Sequence, residues 1–301
     1  MALPQLHHIE PVTQPIPEPQ ASYWAMAWKR FRRHKLAVVS LCVLGVLVLI
    51  AIFASQIAPM SPYISDPAAF SAPPSAHHLL GTDLIGRDIL SRLIYASRIS
   101  LSVGLVSSGL FVIIGTLLGS LAGYYSGRVD LLIMRFTDMI LSFPVLMLIL
   151  VVVSVVGPSL YNVMAVIGLI GWPGVARLVR SSFLSLREQD FVEAARASGA
   201  SNFSIMFRHM LPNAMGPVLV AGTFGAASAI LTEAGLSFLG LGVQPPIASW
   251  GNMLNDALSM TVLHTMPWLW VPPGVLIVVA VLAINFVGDG IRDALDPRLQ
   301  L

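Results

Sequence analysis

The chain has 301 residues, of which 56% are hydrophobic and only 11% are charged. Soluble domains carry about 25% charged residues, so these values exclude a soluble globule of this size and indicate a surface that partly meets lipid. The formal net charge of +2 gives no bulk attraction for nucleic acid. A single cysteine, Cys42, cannot form an internal disulfide.

The first segment, residues 1–28, is predicted to be a disordered cytoplasmic tail. Residues 1–22 are rich in Pro and Gln and contain no Lys or Arg. This composition lacks the basic start of a cleavable signal peptide and is typical of disorder.

Apolar stretches of about 20 residues predict transmembrane helices. The charge-free stretches are 36–54, 99–125, 139–176, 210–232 and 261–288. The third is too long for one span and is interrupted by Gly157-Pro158, so it predicts two spans joined by a tight turn. The last span is predicted to start near Pro267. The sequence therefore predicts an all-α integral membrane protein with six transmembrane helices.

The distribution of Lys and Arg predicts a multi-pass protein of the cell inner (plasma) membrane with both termini in the cytoplasm. Five basic residues immediately precede the first span: Lys29, Arg30, Arg32, Arg33 and Lys35. We interpret this run as a topology anchor rather than a nucleic-acid patch, because it abuts a span directly. The predicted segments are an N-terminal helix with its basic anchor (29–58), an outer segment (59–98), a membrane core (99–288) and a cytoplasmic tail (289–301).

The sequence lacks the motifs of an enzyme. A Walker A loop needs a lysine after its glycines to hold phosphates, and the chain has only Lys29 and Lys35, outside any Gly-rich loop. We therefore expect no cofactor on this chain. The His77-His78 pair is interpreted as solvated residues in a Ser/Pro loop rather than a nickel site, so no metal is expected.

The loop at 181–212, predicted to be cytoplasmic, is polar and has helical periodicity. Ser185 with Glu188 fits a capping box, and Gly199 is a plausible helix stop, which together predict a helix over 185–199. One face of this helix carries a bulky residue with small neighbours: Phe191, Ala194, Ala195 and Ser198. Such a face suits docking into another protein, and an interfacial helix lying on its own membrane is the alternative.

The same loop resembles the EAA loop of the membrane subunits of ATP-binding-cassette (ABC) importers. The matching residues are Glu193, Ala194, Ala195, Gly199, Leu211 and Pro212. His209 stands where the family usually has Ile, which weakens one packing position. In that family the loop forms a coupling helix that sits in a cleft of the ATPase subunit.

Three further blocks resemble the dipeptide/oligopeptide/nickel permease family, most closely the C-type subunit of dipeptide permeases. They begin at Leu80-Gly81-Thr82-Asp83, at Gly235-Leu236-Ser237-Phe238 and at Asn285-Phe286-Val287-Gly288. The resemblance implies an ABC type I importer permease fold, an N-terminal helix plus a five-helix core, and import of dipeptides or oligopeptides. Nickel and glutathione import remain alternatives within this family.

The resemblance also implies the partners. These are a homologous permease subunit, two ATP-binding subunits that carry ATP and Mg²⁺, an extracytoplasmic substrate-binding protein and the lipid bilayer, with no nucleic acid. An ion-coupled secondary transporter is the alternative of another class. It needs paired midplane charges and usually internal repeats, and neither is evident. A membrane scaffold explains the helices but not the ordered blocks.

Two further candidate sites and one packing stripe follow from the residues. Glu233, near the outer end of the fifth span, is a candidate for facing the translocation pathway and meeting a substrate amino group. Asp83, Arg87 and Asp88 are predicted to form an ion network that shapes an outer gate. Glycines at every fourth residue, 115 to 123, form a stripe for close helix packing, within the subunit or against a partner.

Overall fold

The computed structural model describes residues 23–295, without the side chains of Tyr23 and Trp24, and the secondary structure of this part is helical apart from two isolated β-bridges. In chain order the α-helices are α1 (Tyr23–Phe31), α2 (Lys35–Ile52), α3 (Ala54–Ile57), α4 (Ile89–Tyr125), α5 (Gly127–Leu141), α6 (Val145–Val156), α7 (Leu160–Gly171), α8 (Pro173–Leu186), α9 (Asp190–Ala197), α10 (Asn202–Ser204), α11 (Leu211–Phe238), α12 (Trp250–Leu254), α13 (Met260–Thr265) and α14 (Pro267–Leu295). A π-helical turn, Ile205–Met210, precedes α11, and a 3₁₀ turn, Asn255–Leu258, follows α12.

Among residues 23–295, five helical stretches are long and apolar enough to cross a membrane, and α5 with α6 adds a sixth if this bent pair is one span. The two helices of the pair meet at 85°. Pro144, the residue before α6, has no N–H to continue a helical hydrogen-bond ladder, which explains the break. The fourth predicted span is the run α7–α8, which Pro173 divides at the first residue of α8.

The glycine stripe settles the direction of two helices. Cβ atoms built on the glycines of α4 would meet α8 side chains in rising order along both helices: Gly115 with Val175, Gly119 with Val179 and Gly123 with Phe183. Helices α4 and α8 therefore run parallel, and the stripe packs within the subunit. Because parallel helices need a return crossing between them, α5 and α6 together must carry the chain back across.

Two of the remaining long helices, α2 and α11, are antiparallel to α14. Helix α11 is antiparallel to α14, because Gly216 lies beside Leu295 and Gly288 lies beside Thr223. Helix α2 is antiparallel to α14, since Ala37 packs near Gly290 while Leu47 shares a cluster with Ala280. The register gives six crossings, with the start of α2 and the end of α14 on one side, called here the N-terminal side.

Three predicted boundaries are wrong. Residues 23–28 of the predicted tail belong to α1, whose Ala27 and Phe31 are buried against α14. Residues 289–295 of the predicted C-terminal tail continue α14. Helix α4, which Asp88 caps, begins at Ile89 and so starts inside the predicted outer segment 59–98. Residues 1–22 and 296–301 of the two predicted tails lie outside the described residues.

Candidate functional site

The loop between α8 and α11 contains a short helix at the N-terminal side of the bundle. The predicted helix over 185–199 is wrong in its start, because Ser185 still belongs to α8 and donates its hydroxyl to the Ser181 carbonyl. The N-cap of α9 is Gln189, and its side chain makes no capping hydrogen bond. The predicted capping box is therefore absent, and the helix spans Asp190–Ala197.

Helix α9 is anchored by one side chain. Val192 is fully buried in a cluster that includes Phe183, Ile205 and Met206, and Ala195 packs partly against the same cluster. This inward face was not predicted from the sequence. The one sequence signal for this inward face was Val192 itself, an apolar residue that the predicted docking face did not include.

The face predicted for docking is mostly exposed. The Phe191 side chain is 39% exposed, and Ala194 and Ser198 are exposed as well, whereas Ala195 is half-buried. Three of the four predicted residues thus lie together on a surface, and the fourth lies at its edge towards the core. A surface with one aromatic residue and small neighbours allows another protein's backbone to approach closely.

Gly199 ends this helix in the left-handed region, with φ +80°. The Gly199 N–H donates to the Arg196 carbonyl and the Ala200 N–H to the Ala195 carbonyl, which satisfies the last carbonyls of the helix. A Cβ atom at Gly199 would meet nothing within 4 Å. The predicted stop is therefore confirmed, and the backbone angle rather than crowding accounts for the glycine.

The other residues of the EAA pattern lie on both sides of α9. Glu193 is exposed and lines a polar cavity with Tyr124, Arg187 and Arg196. Leu211 packs partly against the cluster that holds Val192, while Pro212 is exposed.

A π-helical turn containing His209 lies immediately before Leu211-Pro212. The Leu211 N–H donates to the Met206 carbonyl, five residues back. The Asn213 amide donates to the His209 carbonyl at 2.7 Å. Pro212 has no backbone N–H, so it cannot supply the helical hydrogen bond to the Arg208 carbonyl four residues before it.

Three polar links fasten the α9 loop and α8 to the corner between α4 and α5. The Tyr124 hydroxyl donates to Asn202 Oδ1 at 2.8 Å, and Arg187 Nη1 donates to the Ser126 hydroxyl at 2.6 Å. Arg180 binds both carboxylate oxygens of Asp130, one of them at 2.6 Å through Nη2. These links join residues 50 to 78 positions apart, and no local sequence pattern signals them.

At the opposite side of the bundle, Asp83 forms part of the predicted ion network. Its carboxylate, 3% exposed, accepts from Arg87 Nε at 2.6 Å and lies 3.5 Å from Arg92 Nε. Asp88 does not join this network. It caps α4 by accepting from the Ser91 N–H at 2.8 Å. Of the three predicted residues, the structure therefore brings only Asp83 and Arg87 into one ion pair.

Two neighbours of this network were not predicted. His78 is buried, with Nδ1 3.1 Å from Asp88 Oδ1 and Nε2 3.7 Å from Asp66 Oδ2, so its interpretation as a solvated residue is wrong. Burial raises the pKa of the Asp256 carboxyl, and nearby Asp83 adds to the rise, whereas the arginines of the network oppose it. Among residues 23–295 no group of three His, Cys, Asp or Glu side chains is placed to hold a metal ion.

Glu233 does not face a pathway, which corrects the sequence prediction. Its side chain is fully buried within this chain, and Oε1 accepts from the hydroxyls of Ser237 at 2.6 Å and Ser249 at 2.8 Å. Ser249 in turn caps α12. The physical reason is that hydroxyls from the end of α11 and the start of α12 enclose the carboxyl, and Ser100, within α4, accepts from the Trp250 N–H beside it. Glu233 therefore joins α11 to α12.

Comparison with protein families gives two matches. The model described as "Binding-protein-dependent transport system inner membrane component" matches residues 115–301. The model described as "N-terminal TM domain of oligopeptide transport permease C" matches residues 22–74.

Curated relatives are similar over almost the whole chain. The dipeptide transport system permease protein DppC of Alkalihalophilus pseudofirmus is 42% identical over 97% of this chain and 98% of that protein. The glutathione transport system permease protein GsiD of Pectobacterium atrosepticum is 41% identical over 92% of each. The oligopeptide transport system permease protein OppC of Haemophilus influenzae is 38% identical over 96% of this chain and 94% of that protein.

A solved structure shares the fold. The chain is similar to one from an inward facing MetNI methionine ABC transporter, with a TM-score of 0.56 and 21% identity, over 68% of this chain and 96% of that chain. At this identity the likeness concerns the fold alone.

Proposed function

This chain belongs to the family of binding-protein-dependent transport system inner membrane components and is a permease subunit of an ABC importer, and we propose that it forms a pathway for dipeptides or oligopeptides with a second permease subunit. The printed names of the dipeptide and oligopeptide relatives support this substrate class. The chain supplies the pathway and its mechanical link, and the covalent chemistry of ATP belongs to partner subunits that bind ATP and Mg²⁺.

The observation that carries the coupling role is the way α9 is held. Its inward face is fixed by Val192, and its loop is tied to the α4–α5 corner by the Arg187–Ser126 hydrogen bond of 2.6 Å. Its other face leaves Phe191 and Ser198 exposed. A helix that is fixed on one side and open on the other transmits a partner's movement into α4 and α8. We assign the partner as the ATPase subunits, and the EAA residues as the docking segment.

The remaining assignments follow from the orientation of the chain in the membrane. The N-terminal side faces the cytoplasm, because the basic run at 29–35 lies there. The 59–88 segment then faces outward, where an extracytoplasmic substrate-binding protein delivers the solute, and the contact of 3.5 Å between Asp83 and Arg92 fastens this segment to α4.

Glutathione import is the second candidate, favoured by the 41% identity to the glutathione permease of Pectobacterium atrosepticum. The two candidates are separated by which solute, a dipeptide or glutathione, stimulates ATP hydrolysis by the assembled importer with its binding protein.

Two neighbouring residues at the end of α9, Ala197 and the C-cap Ser198, provide a matched test of docking. Helical geometry places Ser198 about 20° from Phe191 around the axis and Ala197 about 120° away, and both residues are exposed. We expect Ser198→Glu to reduce retention of the ATPase subunits at least about tenfold, because an interface that closes over an unpaired carboxylate loses several kcal/mol. Ala197→Glu is the control. The measurement is pull-down of the ATPases with uptake in the same cells, and equal retention by the two variants contradicts the proposed face.

A further inference from the structure

Helix α1 separates apolar and basic residues on its two faces. Ala27 and Phe31 are buried in a cluster with Ala37, Val287 and Ala294, so one face is fixed to the N-terminal side of the bundle. Trp28 stacks on Phe31, with ring centroids 5.8 Å apart, yet remains 55% exposed. An exposed Trp beside the start of a span is typical of the boundary between lipid and water.

The outward face of α1 and the turn after it are basic. The exposed basic side chains here are Lys29, Arg32, Arg33 and Lys35. None of these four makes an ion pair with a carboxylate of residues 23–295, where the ion pair formed by this turn is His34 with Asp293 at 3.6 Å. The charge of this face is therefore available to an external anion.

An apolar groove of about 280 Å³ lies directly beside the basic face. Trp28, Leu41, Leu219 and Ile291 contribute to its walls, so it runs from α1 down between α2, α11 and α14. The Arg32 N–H donates to the Trp28 carbonyl, which places Arg32 one helical turn beyond Trp28. Trp28 thus stands between the groove and the positive charge.

We propose that this surface binds one anionic phospholipid from the membrane leaflet on the N-terminal side. The acyl chain lies in the groove against Leu41 and Leu219, and the phosphate lies among Arg32, Arg33 and Lys35. Charge complementarity selects the headgroup, because unpaired Arg and Lys side chains beside a span attract anionic lipids. The groove selects a lipid rather than a soluble anion, since its walls continue the lipid-facing surface of α2.

The headgroup contribution is tested by charge removal. Each Lys or Arg near the membrane surface contributes about fivefold in affinity for anionic lipid, so we expect Arg32→Gln with Arg33→Gln to weaken binding roughly 25-fold. Lys29, Arg30 and Lys35 remain to hold the topology. The matched control is Arg128→Gln with Arg135→Gln, which removes the same charge from exposed positions on α5.

The measurement is native mass spectrometry of the full-length chain in non-ionic detergent, titrated with phosphatidylglycerol or phosphatidylcholine. We expect wild type and the α5 control to prefer phosphatidylglycerol, and the α1 variant to lose this preference. Equal binding of the two lipids by wild type overturns the proposal. An equal loss in both double variants also overturns it, since the charge would then act diffusely.

The groove has its own test, which leaves every charge in place. Leu41 is 41% exposed, so Leu41→Trp fills the groove without disturbing the core, and we expect phosphatidylglycerol binding to fall at least about fivefold. Unchanged binding by this variant overturns the groove assignment. Glycerol 3-phosphate is the soluble competitor, and full displacement of the lipid by it overturns the choice of a phospholipid over a free phosphate.

Discussion

At the scale of single residues, the conformation of Gly199 predicts how substitutions at this position affect α9. Its φ of +80° disfavours side chains with a β-branch, while a Cβ atom at this position would have open space for 4 Å around it. We expect Gly199→Val to destabilise the end of α9 by roughly 1–2 kcal/mol and to lower both transport and ATPase retention. Gly199→Asn, which tolerates this region, should keep most of both.

Membrane insertion depends on the apolar spans, so both Gly199 variants should reach the membrane in normal amounts. Immunoblotting of membrane fractions supplies this control, alongside uptake and pull-down. A Val variant as active as wild type would show that the end of α9 takes no part in coupling.

Residue-level prediction succeeded where the cause is local and failed where it is remote. Gly199 was predictable because a helix stop depends on the residues beside it. The enclosure of Glu233 was not, because Ser249, one of its partners, lies 16 positions away on another helix. Val192 was missed since an apolar residue on a short polar helix does not reveal which neighbour will cover it.

At the scale of helices, the glycine stripe of α4 predicts an asymmetric response to alanine. A Cβ atom on Gly119 would lie 2.5 Å from the Ala176 carbonyl oxygen, whereas one on Gly109 would meet nothing within 4 Å. We expect Gly119→Ala to destabilise the subunit by about 1–3 kcal/mol. Gly109→Ala should be neutral or stabilise by up to about 1 kcal/mol, because Ala favours a helix. Thermal unfolding in detergent measures both, and similar melting temperatures would contradict the close approach of α4 and α8.

Apolar runs predicted the existence of the spans better than their ends. Helix α4 begins ten positions before its predicted start because Asp88 caps it outside the charge-free stretch. The third span was predicted as one helix, although Pro144 marked the place where α5 and α6 bend. Hydropathy reports the solvent around a segment, whereas caps and breaks depend on single polar groups and prolines.

At the scale of the whole molecule, the family resemblance read from the motif blocks is confirmed, and the orientation in the membrane remains a prediction. The relative directions of α2, α4, α8, α11 and α14 place the 59–88 segment and the α9 loop on opposite sides. With Cys42→Ser as background, we expect a cysteine at Ser75 to react with an impermeant reagent added outside intact cells. A cysteine at Ser201 should react only after the membrane is opened. Both positions are exposed, and the reverse labelling pattern would invert the proposed orientation.

The length of α4 has a mechanical consequence. Its 37 residues make a rod roughly 55 Å long, pinned at one end by Asp88 and at the other by the Tyr124–Asn202 hydrogen bond. Since the glycine stripe leaves no slack between this rod and α8, a tilt begun at α9 is carried along its length. A rotation of about 5° displaces the far end of such a rod by about 5 Å. This displacement is longer than any hydrogen bond that holds the 59–88 segment.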